Sequence, residues 1–73
     1  MNLEILYQQL DRNIPFIQGM ATNLSNDFDV ARFLYQETTH QAIKNKKHLR
    51  EETLKVWLKT TMKSIFSKLN TKR

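Results

Sequence analysis

The chain has 73 residues, of which 12 are lysine or arginine and 7 are acidic, and it contains one glycine, one proline and no cysteine. This length allows one small domain, and the lack of cysteine excludes a disulfide framework and a thiolate zinc site. Apolar runs such as Phe33-Leu34-Tyr35 are far shorter than the roughly 20 residues of a membrane span, and no signal-like segment opens the chain. We therefore expect a cytoplasmic protein without a membrane span.

The scarcity of glycine and proline and the lack of alternating apolar and polar residues predict helices throughout. We expect an all-α fold, a compact bundle of three to four helices, with residues 1–73 forming a single domain.

The first two helices should meet near Arg12, because Pro15 disfavours helical geometry at the residue before it. Asn13 is the predicted N-cap of the second helix, with Pro15 in its first turn. Gly19 inside that helix costs about 1 kcal/mol relative to alanine, which suggests the close approach of a neighbouring helix. The apolar positions at helical spacing are Leu3, Leu6, Tyr7 and Leu10 in the first helix and Ile14, Phe16, Ile17, Met20 and Leu24 in the second.

The third helix should be capped by Ser25 or Asn26 and should run to about Lys44. Its core stripe is predicted to hold Phe28, Ala31, Leu34, Tyr35, Thr38 and Ala42, and its opposite face Arg32, Phe33, Gln36, Glu37 and His40. Phe33 is a large aromatic on a polar face, which indicates a protein interface. The alternatives are an ordinary exposed apolar residue, or one covered by the first helix.

The last helix should begin at Glu52 or Thr53 after a loop that starts basic and ends acidic. Its apolar seam comprises Leu54, Trp57, Leu58, Thr61, Met62, Ile65 and Leu69. On the opposite face, Lys59 and Lys63 stand one turn apart among short hydroxyl residues, a pattern suited to phosphate contact. The predicted core of the domain is Leu6, Phe16, Ile17, Ala31, Leu34, Tyr35, Leu54, Trp57, Leu58, Met62 and Ile65.

Charge divides the chain after Ile43. Up to that residue, two arginines stand against five acidic residues, a net charge of −3, whereas the remainder holds ten basic and two acidic residues, a net charge of +8. Such segregation is typical of proteins that bind a polyanion, most often a nucleic acid. The alternative is a solvated, lysine-rich surface that keeps a small protein soluble.

The order of these features resembles region 2 of bacterial sigma factors, most of all the extracytoplasmic-function type. In that family the third helix typically reads Asp-Ala-Glu-Asp-Leu-Val-Gln-Glu-Thr-Phe and the last helix Ala-Trp-Leu-x-x-Ile-x-x-Asn. The residues in register are Ala31, Leu34, Gln36, Glu37 and Thr38 in the third helix and Trp57, Leu58 and Thr61 in the last. The sequence departs from the family at Arg32 and Phe33, where acidic residues are usual, and at Ser64, where Asn is usual. Because the family's region 4 is not among these residues, we expect an excised domain or a stand-alone region 2.

The resemblance implies that the protein recognises the minus-ten promoter element and opens the strands together with RNA polymerase core. The third helix would dock on the clamp helices of the β′ subunit, the loop from Lys44 to Arg50 would accept a flipped base, and the last helix would lie along the DNA. An anti-sigma factor is a further candidate partner. The predicted polymerase-binding residues are Arg32, Phe33, Gln36, Glu37 and His40. The predicted DNA-binding residues are Lys44, Lys46, Lys47, His48, Arg50, Lys55, Lys59, Thr60, Lys63, Ser64 and Ser67.

Other classes of function fit the sequence less well. With two histidines and no cysteine, we expect no enzyme, metal site, cofactor or small-molecule substrate. A free-standing small helical DNA-binding regulator, such as a repressor or a phage-type transcription modulator, is the main alternative. It would need a tight helix-turn-helix connection, often with glycine, yet Gly19 lies inside a helical pattern. A membrane-surface helix is disfavoured because Trp57 belongs to the apolar seam.

Overall fold

The computed structural model describes residues 1–71 and consists of four α-helices: α1 (Leu3–Arg12), α2 (Ile14–Leu24), α3 (Phe28–Lys44) and α4 (Leu54–Thr71). Two short 3-10 turns, Lys46–His48 and Glu51–Thr53, lie between α3 and α4, and no strand occurs within the described residues. The all-α class and the four predicted helices are confirmed. The last helix begins one or two residues later than predicted, because the Glu51–Thr53 turn precedes it.

The junction between α1 and α2 shows what Asn13 does. As predicted, α1 ends at Arg12, and Pro15 lies in the first turn of α2. Asn13 occupies the N-cap position of α2, but its side chain makes no capping hydrogen bond there. Its Nδ2 instead donates to the Gln9 carbonyl at 2.7 Å, which satisfies a carbonyl in the last turn of α1. The predicted capping role of the Asn13 side chain is therefore wrong.

The N-cap of α3 is Asp27, not Ser25 or Asn26 as predicted. Its carboxylate accepts hydrogen bonds from the backbone N–H groups of Asp29 (2.9 Å) and Val30 (3.4 Å). Ser25 acts one step earlier, where its Oγ accepts a hydrogen bond from the Asp27 N–H at 3.1 Å. The charged cap prevails because a carboxylate satisfies two free N–H groups and also interacts favourably with the helix dipole.

The core lies where α2, α3 and α4 meet, and α1 covers one side of it. Most of the predicted core residues are buried, namely Leu6, Ile17, Ala31, Leu34, Leu54, Leu58 and Met62. Phe16, Tyr35, Trp57 and Ile65 are only partly buried and pack around the edge of this cluster. Ala21 on α2 and Leu49 in the loop are buried as well, although the sequence did not predict either as core.

Two predictions about packing, those for Phe28 and Gly19, are wrong. Phe28 is 77% exposed, because it is the first residue of α3 and lies at the edge of the buried stripe. Leu3 and Tyr7 are also exposed, since α1 buries only Leu6 and Leu10. Gly19 marks no close approach, because a Cβ built on it would meet no atom of the described residues within 4 Å.

Thr38 is fully buried in α3, and its Oγ1 has no hydrogen-bond partner among the described residues. Leaving a buried hydroxyl unsatisfied costs about 1–3 kcal/mol. We therefore expect Thr38→Val, which keeps the shape and removes the hydroxyl, to raise the free energy of unfolding by about 1 kcal/mol. Urea denaturation followed by circular dichroism measures the change.

Thr39→Val is the matched control for this substitution. The Thr39 hydroxyl donates to the carbonyls of Tyr35 (3.1 Å) and Gln36 (2.9 Å), so the same replacement there removes a satisfied group and should bring no gain. A loss of stability in Thr38→Val equal to that in Thr39→Val would show that the Thr38 hydroxyl has a partner.

Candidate nucleic-acid interface

The loop between α3 and α4 is anchored at several points. Asn45 Nδ2 donates to the Gln41 carbonyl at 2.8 Å at the end of α3, and Leu49 is buried in the core. The amino group of Met1 donates to the carbonyls of Lys46 at 2.7 Å and Leu49 at 3.4 Å. These contacts hold the backbone, so the loop presents its basic side chains from a defined scaffold.

We call the basic residues of this segment the loop patch. They are Lys44, Lys46, Lys47, His48 and Arg50, all predicted DNA-binding residues. Lys46 is half-buried and the others are exposed. His48 and Arg50 flank the buried Leu49, which draws the backbone to the core while its neighbours point to solvent. In the sequence, the signal of this arrangement is a single leucine between two basic residues.

Along α4, Lys55, Lys59 and Lys63 recur every fourth residue and form what we call the helix row. Lys55 Nζ lies 5.3 Å from the centroid of the Phe16 ring, within cation–π range. Lys59 and Lys63 line a small cleft of about 130 Å³ whose other walls are Met20, Asn23 and Leu24 of α2. The lysine stems therefore lie beside the apolar edge of α2 while the residues remain exposed.

The spacing of the helix-row lysines and their lack of ion pairs with described residues suit contact with a nucleic-acid backbone. Four residues of α-helix advance about 6 Å, so Lys55, Lys59 and Lys63 place cations at about 6 Å intervals. None of the three forms an ion pair with another described residue. Thr60, Ser64 and Ser67 are exposed beside the row, as predicted, and their short side chains allow close approach of a ligand.

The loop patch and the helix row do not run together along the chain. Glu51 and Glu52 lie between them in the turn that precedes α4, and both are exposed. Their charge complements the positive end of the α4 dipole and lowers the positive potential between the two basic groups. Two of the ten basic residues of this half, Lys72 and Arg73, lie outside the described residues.

The predicted polymerase-binding residues of α3 divide into two groups. Arg32 and Gln36 border a cleft between α3 and α2, whereas Phe33, Glu37 and His40 do not line it. Phe33 is 43% exposed, and α1 lies beside the edge of α3 formed by Tyr35, Thr39 and Ile43. Glu37 is half-buried and its Oε1 accepts a hydrogen bond from Gln41 Nε2 at 3.4 Å. We call Phe33, Glu37 and His40 the outer face of α3.

No described helix is both long and apolar enough to cross a lipid bilayer. Comparison of the chain with protein-family models, with curated proteins and with solved structures returns no match.

Proposed function

We propose that this chain works as a region 2 module of the sigma-factor type. In this proposal the loop patch and the helix row hold the melted minus-ten promoter strand, while the outer face of α3 docks on the β′ clamp helices of RNA polymerase core. The observation that carries the proposal is the helix row, three exposed cations that form no ion pair with any described residue and are evenly spaced along one edge of α4.

The charge distribution supports the DNA part of the proposal. A protein that opens DNA must offset the few kcal/mol that unstacking a base costs, and it does so with cations on the displaced strand. The loop patch supplies cations on an anchored segment, and the helix row supplies more on a rigid helix. Glu51 and Glu52 lie between the loop patch and the helix row along the chain. The two basic groups would therefore hold the strand at two separate positions.

The outer face of α3 supports the protein-binding part. Because Leu34, Thr38 and Ala42 bury the opposite side of α3 in the core, the outer face lies away from the core, with His40 exposed and Phe33 partly exposed. A partly exposed aromatic next to polar groups is the usual composition of an interface anchor. Phe33 is such a residue, and it stands where the sigma family usually carries an acidic one.

A free-standing helix-turn-helix regulator is the second candidate, because only residues 25–27 separate α2 from α3, a connection of helix-turn-helix length. In that arrangement α3 would enter the major groove with its first turn. That turn carries Asp29, two residues after the Asp27 cap, and both carboxylates would repel phosphates. Since Lys55, Lys59 and Lys63 lie on α4 and the first turn of α3 is acidic, the charges favour the sigma-type proposal.

The polymerase contact is tested by capture of bacterial RNA polymerase core on the immobilised chain. We expect Phe33→Ala to weaken binding by about 2 kcal/mol, about 30-fold, as for a central aromatic anchor. Glu37→Lys should weaken it as well by reversing a charge on the same face. Phe28→Ala is the matched control, because it removes an even more exposed phenylalanine from the same helix, outside the outer face. Unchanged capture by both outer-face variants would place the interface elsewhere and favour the regulator.

A further inference from the structure

Two clefts lie end to end along one edge of α3, and Tyr35 lines both. The first measures about 420 Å³ and lies between α2 and the N-terminal half of α3. The second measures about 540 Å³ and lies between α1, the start of α2 and the C-terminal half of α3. We call the two together the α3 groove. The described residues that line it all belong to α1, α2 and α3, so it is separate from the helix row on α4.

The two ends of the α3 groove complement each other in shape. At one end Phe28 projects from the surface with 77% of its area exposed. At the other end Tyr7, Ile14 and Ile43 border a recess. An exposed aromatic of this size is costly to leave in water, and the recess offers apolar walls for such a ring.

The ends also complement each other in charge. Among the described residues, Arg32 is the one charged residue that lines the first cleft, and Asp11 is the one that lines the second. A surface with a cation at one end and an anion at the other matches a copy of itself turned by 180°. The excess positive charge of the chain lies after Ile43, and none of the described residues beyond Ile43 lines the groove.

The distances along α3 agree with such a rotation. At 1.5 Å per residue, Phe28 lies about 10 Å from Tyr35 in one direction and Ile43 lies about 12 Å from it in the other. A two-fold axis near Tyr35 would therefore set the Phe28 of one copy over the recess at Ile43 of the second. The same rotation brings Arg32 toward Asp11 of the other copy, and each contact occurs twice.

We propose that the α3 groove is the interface of a two-fold homodimer. Phe28 fills the recess of the second copy and supplies the apolar contact, while Arg32 pairs with Asp11 of that copy and sets the orientation. This inference depends on the α3 groove alone, so a failure of the proposed function would leave it unaffected, and the reverse also holds.

Sedimentation equilibrium of the 73-residue chain in about 0.15 M salt, which screens its net charge of +5, tests the proposal. We expect a dimer at high concentration. Phe28→Ala, Asp11→Arg and Arg32→Asp should each raise the dimer Kd by about tenfold or more. The double variant Asp11→Arg/Arg32→Asp should return to within about threefold of the original Kd, because it restores the pair with reversed sign.

Phe33→Ala is the control, since Phe33 lies on α3 but does not line the groove, and its dimer Kd should not change. Asp11, Phe28 and Arg32 are exposed, so the variants should keep the fold, which far-ultraviolet circular dichroism verifies. A monomer at every concentration would overturn the proposal. A dimer Kd that Phe28→Ala leaves unchanged would also overturn it. So would a dimer Kd of the double variant that is no lower than the Kd values of the two single charge variants.

Discussion

Leu58→Ala should lower the free energy of unfolding by about 2–5 kcal/mol, enough to abolish the cooperative thermal transition of a domain this small. Leu58 has no exposed surface and lies in the seam of α4 that faces the core. Truncating it removes apolar contacts and leaves a cavity that the neighbouring helices cannot fill without moving. Thermal unfolding followed by circular dichroism measures the loss.

Two neighbours on α4 calibrate this result. Trp57 is only partly buried, so Trp57→Ala should cost less than Leu58→Ala despite the larger side chain that it removes. Val56 is 68% exposed, and Val56→Ala should change stability by less than about 0.5 kcal/mol. If Leu58→Ala left the melting temperature unchanged, or if Val56→Ala cost as much, the assigned core face of α4 would be wrong.

The double variant Lys59→Ala/Lys63→Ala should bind single-stranded DNA more weakly and with a shallower dependence on salt. Each phosphate that a cation neutralises contributes about 0.7 to the slope of log K against log salt for a single strand, so the slope should fall by about 1.4. At about 0.1 M salt this corresponds to roughly a tenfold loss of affinity or more. Fluorescence anisotropy across several salt concentrations gives both quantities.

The charge-matched control is Arg12→Ala/Arg32→Ala, which removes two positive charges from the acidic half of the chain. Both arginines are exposed, so neither replacement should disturb the core. The control should leave the salt slope unchanged, because neither residue belongs to the helix row. If the two double variants lost the same affinity for single-stranded DNA, binding would depend on the total charge of the chain and not on the helix row.

The elements that the sequence predicted well are those set by neighbouring residues. Pro15 ends α1, and the period of the apolar residues between Leu54 and Leu69 identifies the buried face of α4. These signals act within one or two turns, so they do not depend on how the helices pair.

The elements that the sequence missed depend on which helix lies beside which. Gly19 faces open space, and Leu49 is buried although it lies in a loop. Phe28 continues the apolar pattern of α3, but it stays 77% exposed because no described helix covers it. Helical periodicity gives the direction of a side chain and leaves open whether another element lies in that direction.

The same limit applies to the candidate site. The exposure of the cations on α4 follows from its periodicity, and the structure agrees. The position of Lys55 over Phe16, and of Lys59 and Lys63 against α2, required knowledge of the pairing of α2 with α4. The division between the outer face of α3 and the cleft at Arg32 likewise depends on the position of α2.

The central claim, that the basic half holds a melted promoter strand, is tested most directly by comparing three DNA ligands. A minus-ten-like, A/T-rich single strand, its scrambled version and the corresponding duplex are titrated with the unmodified chain at several salt concentrations. Binding should be weak, because a handful of phosphate contacts gives mainly non-specific affinity. The minus-ten-like strand should nevertheless bind more tightly than the other two, and the difference should persist as salt is raised. Equal affinity for all three ligands at every salt concentration would contradict the claim.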